Sequence, residues 1–381
     1  MGERSGPLIG LKIIELAGIG PGPFCAMLLA DLGATVLRVD RPDPPQLGIK
    51  RPLRYDLLRR SRETLSLDLK SPEARELLLQ LAEQADGLIE GFRPGVAERL
   101  GLGPDDLLGR NPRIVYGRIT GWGQSGPMSQ TAGHDINYLA LTGALAMFGD
   151  PAAPPSAPLN LLGDYSGGGL YLALGMLAGL MSAQRDGHGQ VVDTAIVDGV
   201  GSLMTTFHGM LAANMLRPER GANVLDGGAY YYGCYACADG RYVAVGPIEP
   251  KFHAQMLAKL GISTEGFPDQ DDEKRWPEAR ARMAEIFRTR PRDHWAEVFD
   301  GSDACVSPVL TLAEAATHPQ AVERSSFVEV DGVVQPAPAP RFSRTPAGTP
   351  SAPCPPDNDS ALAGWLDTGE IERLRAKGTI A

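Results

Sequence analysis

The chain has 381 residues, 43% hydrophobic and 22% charged, the profile of a globular protein with room for one large domain or two ordinary ones. Its net charge of -10 argues against nucleic acid as the main partner, because a phosphate-binding surface needs a basic field. Five cysteines, few and odd in number, fit a reducing cytoplasm better than a disulfide scaffold.

The opening "MGERSGPLIG" lacks the basic-then-apolar layout of a leader. The longest apolar stretch, "GGGLYLALGMLAGLMSA", is Gly-rich and short for a membrane span, so neither export nor a membrane partner is expected.

In chain order, "LKIIEL" (11–16) reads as a buried strand, "GIGPGP" as a tight turn, "FCAMLLADLG" as a helix and "ATVLRVD" (34–40) as a second strand. "TLSLDL" (64–69), "GLIEGF" (87–92) and "RIVYGRIT" (113–120) continue the strand series, with an amphipathic helix over 72–85. This alternation predicts an α/β fold: a doubly wound, Rossmann-like parallel sheet. A helical stretch is expected over 165–215, broken by a turn at 186–190 and a strand at 191–196. A hairpin at 228–246 and two helices behind it predict a smaller α+β domain. The expected division is 1–205 for the large domain, 206–224 as linker, 225–322 for the small domain, and 323–381 returning to the large one. Eight prolines in 336–356 make that return extended, and "GEIERLRAKG" closes it with a helix.

Three local patterns carry chemistry or imitate it. Cys234 and Cys237 form a CxxC, but no second ligand pair is nearby, and the alternation around them reads as a hairpin strand. Gly18, Gly20 and Gly22 follow a strand as in a dinucleotide fingerprint. Their spacing is G-x-G-x-G rather than G-x-G-x-x-G, and Pro21 and Pro23 remove backbone donors, so a plain strand-to-helix turn is favoured. Residues 38–70 hold nine cations against five anions, net +4 in an acidic chain. A small polyanion such as a phosphorylated nucleotide, or a solvated loop, would both account for that excess.

Three titratable groups stand at element ends. In "GHDINYLALTGAL", helical spacing places a start near Asp135 as N-cap, with His134 just ahead of it and the free amides of the first turn facing whatever His134 faces. In "LNLLGDYSGGG", Asp164 opens an apolar helix beside three glycines that let a ligand or another backbone approach. In "VAVGPIEPKF", Glu249 lies between a strand and a helix. Each alone reads as an ordinary cap or first-turn acid; together they read as a site.

Long strings in the right order, among them "ELAGIGPGPFCAMLLADLGATVLRVDRP", "EGFRPGVAERLGLGP", "GRITGWGQSGP", "AGHDINYLALTG", "PLNLLGDYSGGG" and "VAVGPIEP", resemble the family III CoA-transferase (CaiB/BaiF-type) fold family. The likeness extends over nearly the whole chain and falls on the family's branch of 2-methylacyl-CoA racemases. It implies that His134 and Asp164 exchange the α-proton of the thioester on opposite faces through an enolate, with Glu249 paired to the histidine. It further implies coenzyme A contacts at Arg41, at Leu67, Asp68, Leu69 and Lys70, at Gly91, Phe92 and Arg93, at Arg99, and along Gly133, Asp135, Ile136, Asn137 and Tyr138. No cofactor is implied beyond the coenzyme A of the substrate, and no metal. The expected assembly is an interlocked homodimer. A transferase of the same fold, with Asp164 as nucleophile forming an aspartyl-CoA thioester, is the alternative.

Overall fold

Alternating strands and helices build most of the chain. The computed structural model describes residues 4–43 and 47–380. The first three residues, on which the reading of the leader leaned, lie outside them. The elements are β1 (Lys12–Leu16), α1 (Pro21–Asp31), β2 (Thr35–Asp40), β3 (Glu63–Ser66), α2 (Pro72–Ala82), β4 (Gly87–Glu90), α3 (Val96–Arg99), α4 (Pro104–Arg110), β5 (Val115–Thr120) and α5 (Asp135–Leu141). A wide-turned helical segment at Leu161–Leu170 runs into α6 (Tyr171–Asp186), followed by β6 (Val191–Ala195), α7 (Ile196–Leu203) and α8 (Thr205–Ala212). Then come β7 (Gly233–Ala236), β8 (Tyr242–Val245), α9 (Pro250–Lys259), α10 (Trp276–Phe287), α11 (Arg292–Phe299), β9 (Val306–Pro308) and α12 (Leu312–Thr317). The chain ends with α13 (Pro319–Glu323), β10 (Phe327–Val330), β11 (Val333–Pro336), α14 (Asn358–Leu362) and α15 (Thr368–Ala376).

The chain divides into two compact units. The first comprises 1–142, 159–203 and 319–381; the second comprises 143–158 and 204–318. These borders differ from the expected ones: 143–158 belongs to the second unit, and the expected linker carries α8 within that unit. "MTTFHGMLAAN" has enough strong helix formers to continue as helix, which a linker reading passes over.

The first unit holds a six-stranded sheet in the order β3-β2-β1-β4-β5-β6, all parallel. Both faces are covered, so the strands are nearly continuous apolar runs. One face packs Ile14, Leu37, Leu65, Leu88 and Tyr116 in a core shared with α2 and with Leu362, Trp365, Ile371 and Leu374 of the returning C-terminal segment. On the other face, Met176 of α6 fills the space that Gly87 and Gly117 leave open. The helical run 161–186 has a hydropathy of 1.3 and is long and apolar enough to cross a membrane by composition, but half of it is buried inside the fold.

The edge strand β3 is covered rather than open. Ser61 N–H donates to the Ser351 carbonyl (3.1 Å), Asp357 N–H to the Thr64 carbonyl (3.2 Å) and Ser66 N–H to Asn358 Oδ1 (2.8 Å). The Pro-rich return therefore hides an edge that would otherwise pair with another chain. In the second unit β7-β8-β9 form an antiparallel sheet over a core of Tyr230, Tyr235, Met256, Met283 and Phe287.

Candidate active site

In an open parallel sheet, ligands bind beyond the strand carboxyl ends where the strand order reverses. Here that switch lies between β1 and β4, adjacent in space although β2 and β3 intervene in sequence. The turn after β1 and the Gly91–Arg93 turn after β4 flank this crevice. Arg41 follows β2, and Leu67–Lys70 follow β3. Arg41, Asp68, Lys70, Arg93 and Arg99 are exposed. Leu67 is 1% exposed and lies in the hydrophobic core, and Leu69 and Phe92 pack against that core. Any contact Leu67 makes with a ligand therefore falls to its backbone.

The +4 count overstates the free charge. Arg38 and Arg62 both donate to Glu15, a fully buried carboxylate on β1, at 2.7 and 2.5 Å. Arg60 is paired with Asp31 at 2.5 Å. These three arginines serve the interior, and Glu15 and Asp31 come from elements the charge count did not include, while Arg38 also pairs with Asp40 inside it at 3.2 Å.

His134, not Asp135, is the N-cap of α5, with extended backbone angles; its amide donates to Asn137 Oδ1 (3.0 Å) and its side chain is exposed. Asp135 is turned away from its own helix. Its Oδ1 accepts the amide of Asp164 at 2.6 Å, and the amide of Gly163 also favours the ionised carboxyl. It thus caps the first turn of the segment 161–170 and ties the backbone of Asp164 to the residue next to His134. Its Oδ2 is buried with no partner among the described residues, and burial pushes its carboxyl up. Tyr138 locks the same loop: its hydroxyl donates to the Gly133 carbonyl (2.5 Å), and its ring meets Trp122 edge-on at 4.7 Å.

Asp164 sits in a segment wound more loosely than an α-helix, with Tyr165 N–H reaching back five residues to the Asn160 carbonyl (3.2 Å). Burial raises its carboxyl above the usual range. Asn160 Nδ2 at 3.3 Å opposes that shift, Asp135 adds to it, and the charge of His134 opposes it again. His134 and Asp164 are therefore close enough to sense each other. Asn160 escaped sequence reasoning, although its four-residue spacing from Asp164 on a helical segment was the available signal.

The glycines serve this arrangement. Gly20 caps α1 at φ 69°, and a Cβ there would lie 3.0 Å from Asp164 Oδ2. The strand-to-helix turn, which the glycine spacing and its prolines favour over a nucleotide cradle, makes room for a carboxylate. Gly168 and Gly169 let Pro21 and Phe24 of α1 approach, and Gly167 does so for α7. Of the two approaches the sequence left open, these glycines admit another backbone.

Glu249 lies in the second unit as the exposed N-cap of α9, its carbonyl accepting the amides of Phe252 and His253 at 3.0 Å each. Cys305 stands near it, its thiol raised by burial and then by the Glu249 charge. Cys234 is exposed and Cys237 buried on opposite faces of the hairpin, and both are free thiols. A cavity of about 280 Å³ within this unit is lined by Met147, Phe148, Met204, Phe207, Met210 and Met215.

Residues 8–360 match the family model for CoA-transferase family III. The chain belongs to that family. It is similar to alpha-methylacyl-CoA racemase of Mus musculus, 45% identical over 91% of this chain and 88% of the relative. The Homo sapiens protein of the same name is 44% identical over 89% and 87%. A solved CAIB/BAIF family protein from Brucella suis, 25% identical, superposes with a TM-score of 0.80 over 97% of this chain and all of that one. The turn after β1 approaches Asp164, Asp135 ties Asp164 to the residue beside His134, and the arginines and lysine after β2, β3 and β4 are exposed.

Proposed function

We propose that this chain is a racemase that interconverts the 2R and 2S forms of 2-methylacyl-CoA thioesters by proton transfer at the α-carbon, as in the breakdown of branched-chain fatty acids or sterol side chains. The observation that carries the reading is the clamp by Asp135, which fixes the helix end bearing His134 against the turn bearing Asp164.

Racemisation needs a base on one face of the carbon and an acid on the other. Asp164, as carboxylate, takes the α-proton of one enantiomer and leaves a planar enolate. Protonated His134 returns a proton to the opposite face, and the reverse sequence serves the other enantiomer. The raised carboxyl of Asp164 suits both halves, since burial that disfavours the carboxylate makes it a stronger base toward the α-proton and eases its return as an acid. The amides of Asp135 and Ile136, which as first-turn donors have no acceptor within the helix, are suited to the enolate oxygen. Arg41, Lys70, Arg93 and Arg99 meet the phosphates of coenzyme A. Glu249 orients His134 of a second copy in an interlocked, cytoplasmic homodimer. The reaction changes no oxidation state, so it calls for no cofactor besides the coenzyme A of the substrate.

Incubation with a single enantiomer of a 2-methylacyl-CoA in D2O tests this reading. Uptake of deuterium at the α-position with loss of chirality, followed by NMR, is expected. Transfer of coenzyme A to an added carboxylate without exchange would instead establish Asp164 as a nucleophile. Gel filtration of the active protein as a monomer would remove the dimer.

A further inference from the structure

One buried carboxylate near the crevice is not used by that mechanism. Glu90 ends β4 and is 1% exposed. Its Oε2 accepts the amide of Phe92 at 2.6 Å, and its Oε1 accepts Arg118 Nε at 3.1 Å. Arg118 is its register partner on β5, and the Arg118 Nη2 donates to Glu98 Oε1 of α3 at 2.9 Å. A chain of charge-assisted bonds thus runs from β5 through Glu90 into the Gly91–Arg93 turn and through Glu98 into α3, where Arg99 is the next residue. Arg93 and Arg99 are exposed and carry no ion pair among the described residues.

We propose that Glu90 is a positioning residue for coenzyme A. Its carboxylate, bracketed by Arg118, holds the Gly91–Arg93 turn in the shape that presents Arg93 and Arg99 to the phosphates. The inference rests on the coenzyme A reading given above.

The environment makes this hold pH-dependent. Burial pushes the Glu90 carboxyl up to about 7; the Phe92 amide and Arg118 oppose the shift, and Glu98 adds to it. The charged and titratable groups facing this pair are Arg118 and Tyr116 from β5, Glu98 from α3 and Asp193 from β6, with Asp106 of α4 acting on Tyr116. Above neutrality Glu90 is ionised and accepts both bonds with charge assistance. As pH falls through about 7, one oxygen becomes a hydroxyl that needs an acceptor of its own, and the turn loosens. Affinity for coenzyme A therefore falls as pH falls.

The test is calorimetric titration of the whole protein with coenzyme A itself, from about pH 8 to about pH 6, for the wild type and E90Q. Wild-type affinity should drop several-fold across this range. E90Q should bind about tenfold more weakly at the upper pH, the loss of one charge-assisted bond, and its affinity should change less with pH. In racemisation assays the loss should fall mainly on KM. E98Q, which releases only the outer end of the chain, should show a smaller loss. Wild-type binding matched by E90Q in affinity and pH slope overturns the inference and leaves the coenzyme A reading standing. A wild type that does not bind coenzyme A overturns both. If E90Q does not fold, hydrogen exchange of the wild-type Phe92 amide decides. Its protection, corrected for intrinsic rate, should weaken below about pH 7, and pH-independent protection overturns the inference.

Discussion

The first unit carries two populations of charge that neighbour each other in sequence and differ in every physical respect. Arg38, Arg60 and Arg62 lie 2 to 6% exposed against Glu15 and Asp31. Arg41, Lys70, Arg93 and Arg99 line the carboxyl edge, exposed and outside any ion pair among the described residues. Interior pairs are expensive to break, because removing one partner strands the other in low dielectric. Edge charges cost little to lose until a ligand needs them. Asp164 is half-buried and stands between the two groups.

Four substitutions test this division, from the largest expected effect down. Asp164→Asn should reduce α-proton exchange by about 10³-fold or more, the loss expected for a positioned general base. It should leave stability at neutral pH equal or higher. The sign follows from the raised carboxyl: the folded state holds its proton to higher pH than the unfolded chain, so ionised Asp164 opposes folding once pH exceeds the unfolded value. A variant that loses stability along with activity would move Asp164 into the structural class. Arg62→Met should show the opposite profile, losing roughly 3–5 kcal/mol if Glu15 is left charged and unpaired, with coenzyme A affinity retained in the folded fraction. Denaturant unfolding and calorimetry read the two separately. Gly20→Ala should cost about 1–2 kcal/mol for a side chain at positive φ, and should also slow exchange by crowding the Asp164 carboxylate. Unchanged kcat in that variant would show that the carboxylate is not held where the turn places it. Arg93→Ala should weaken coenzyme A by about tenfold with no change in melting temperature.

Much of the sheet was legible because each strand announces itself locally: "KIIEL" and "TVLRVD" are apolar runs bounded by turns. The parallel, doubly wound class followed from βαβ alternation, whereas partners across the sheet did not. Glu15 and Arg62 are 47 positions apart, and only the register of β1, β2 and β3 brings them together with Arg38. The same limit made Asp135 look like the cap of its own helix, when its carboxylate bonds amides 28 and 29 residues later. Composition marks 143–158 as a Pro- and Ala-rich stretch, but nothing local says that it belongs with the second unit.

The returning segment has a consequence for how the chain is made. Leu362, Trp365, Ile371 and Leu374 complete the apolar face that β1, β2 and β4 turn toward α2, and every pairing within the six-stranded sheet is non-local. During synthesis that face stays only partly covered until residues 362–374 leave the ribosome, whereas the second unit has by then all its sequence available. Nascent chains halted before α14 should therefore recruit holdase chaperones, and release should follow the emergence of α15.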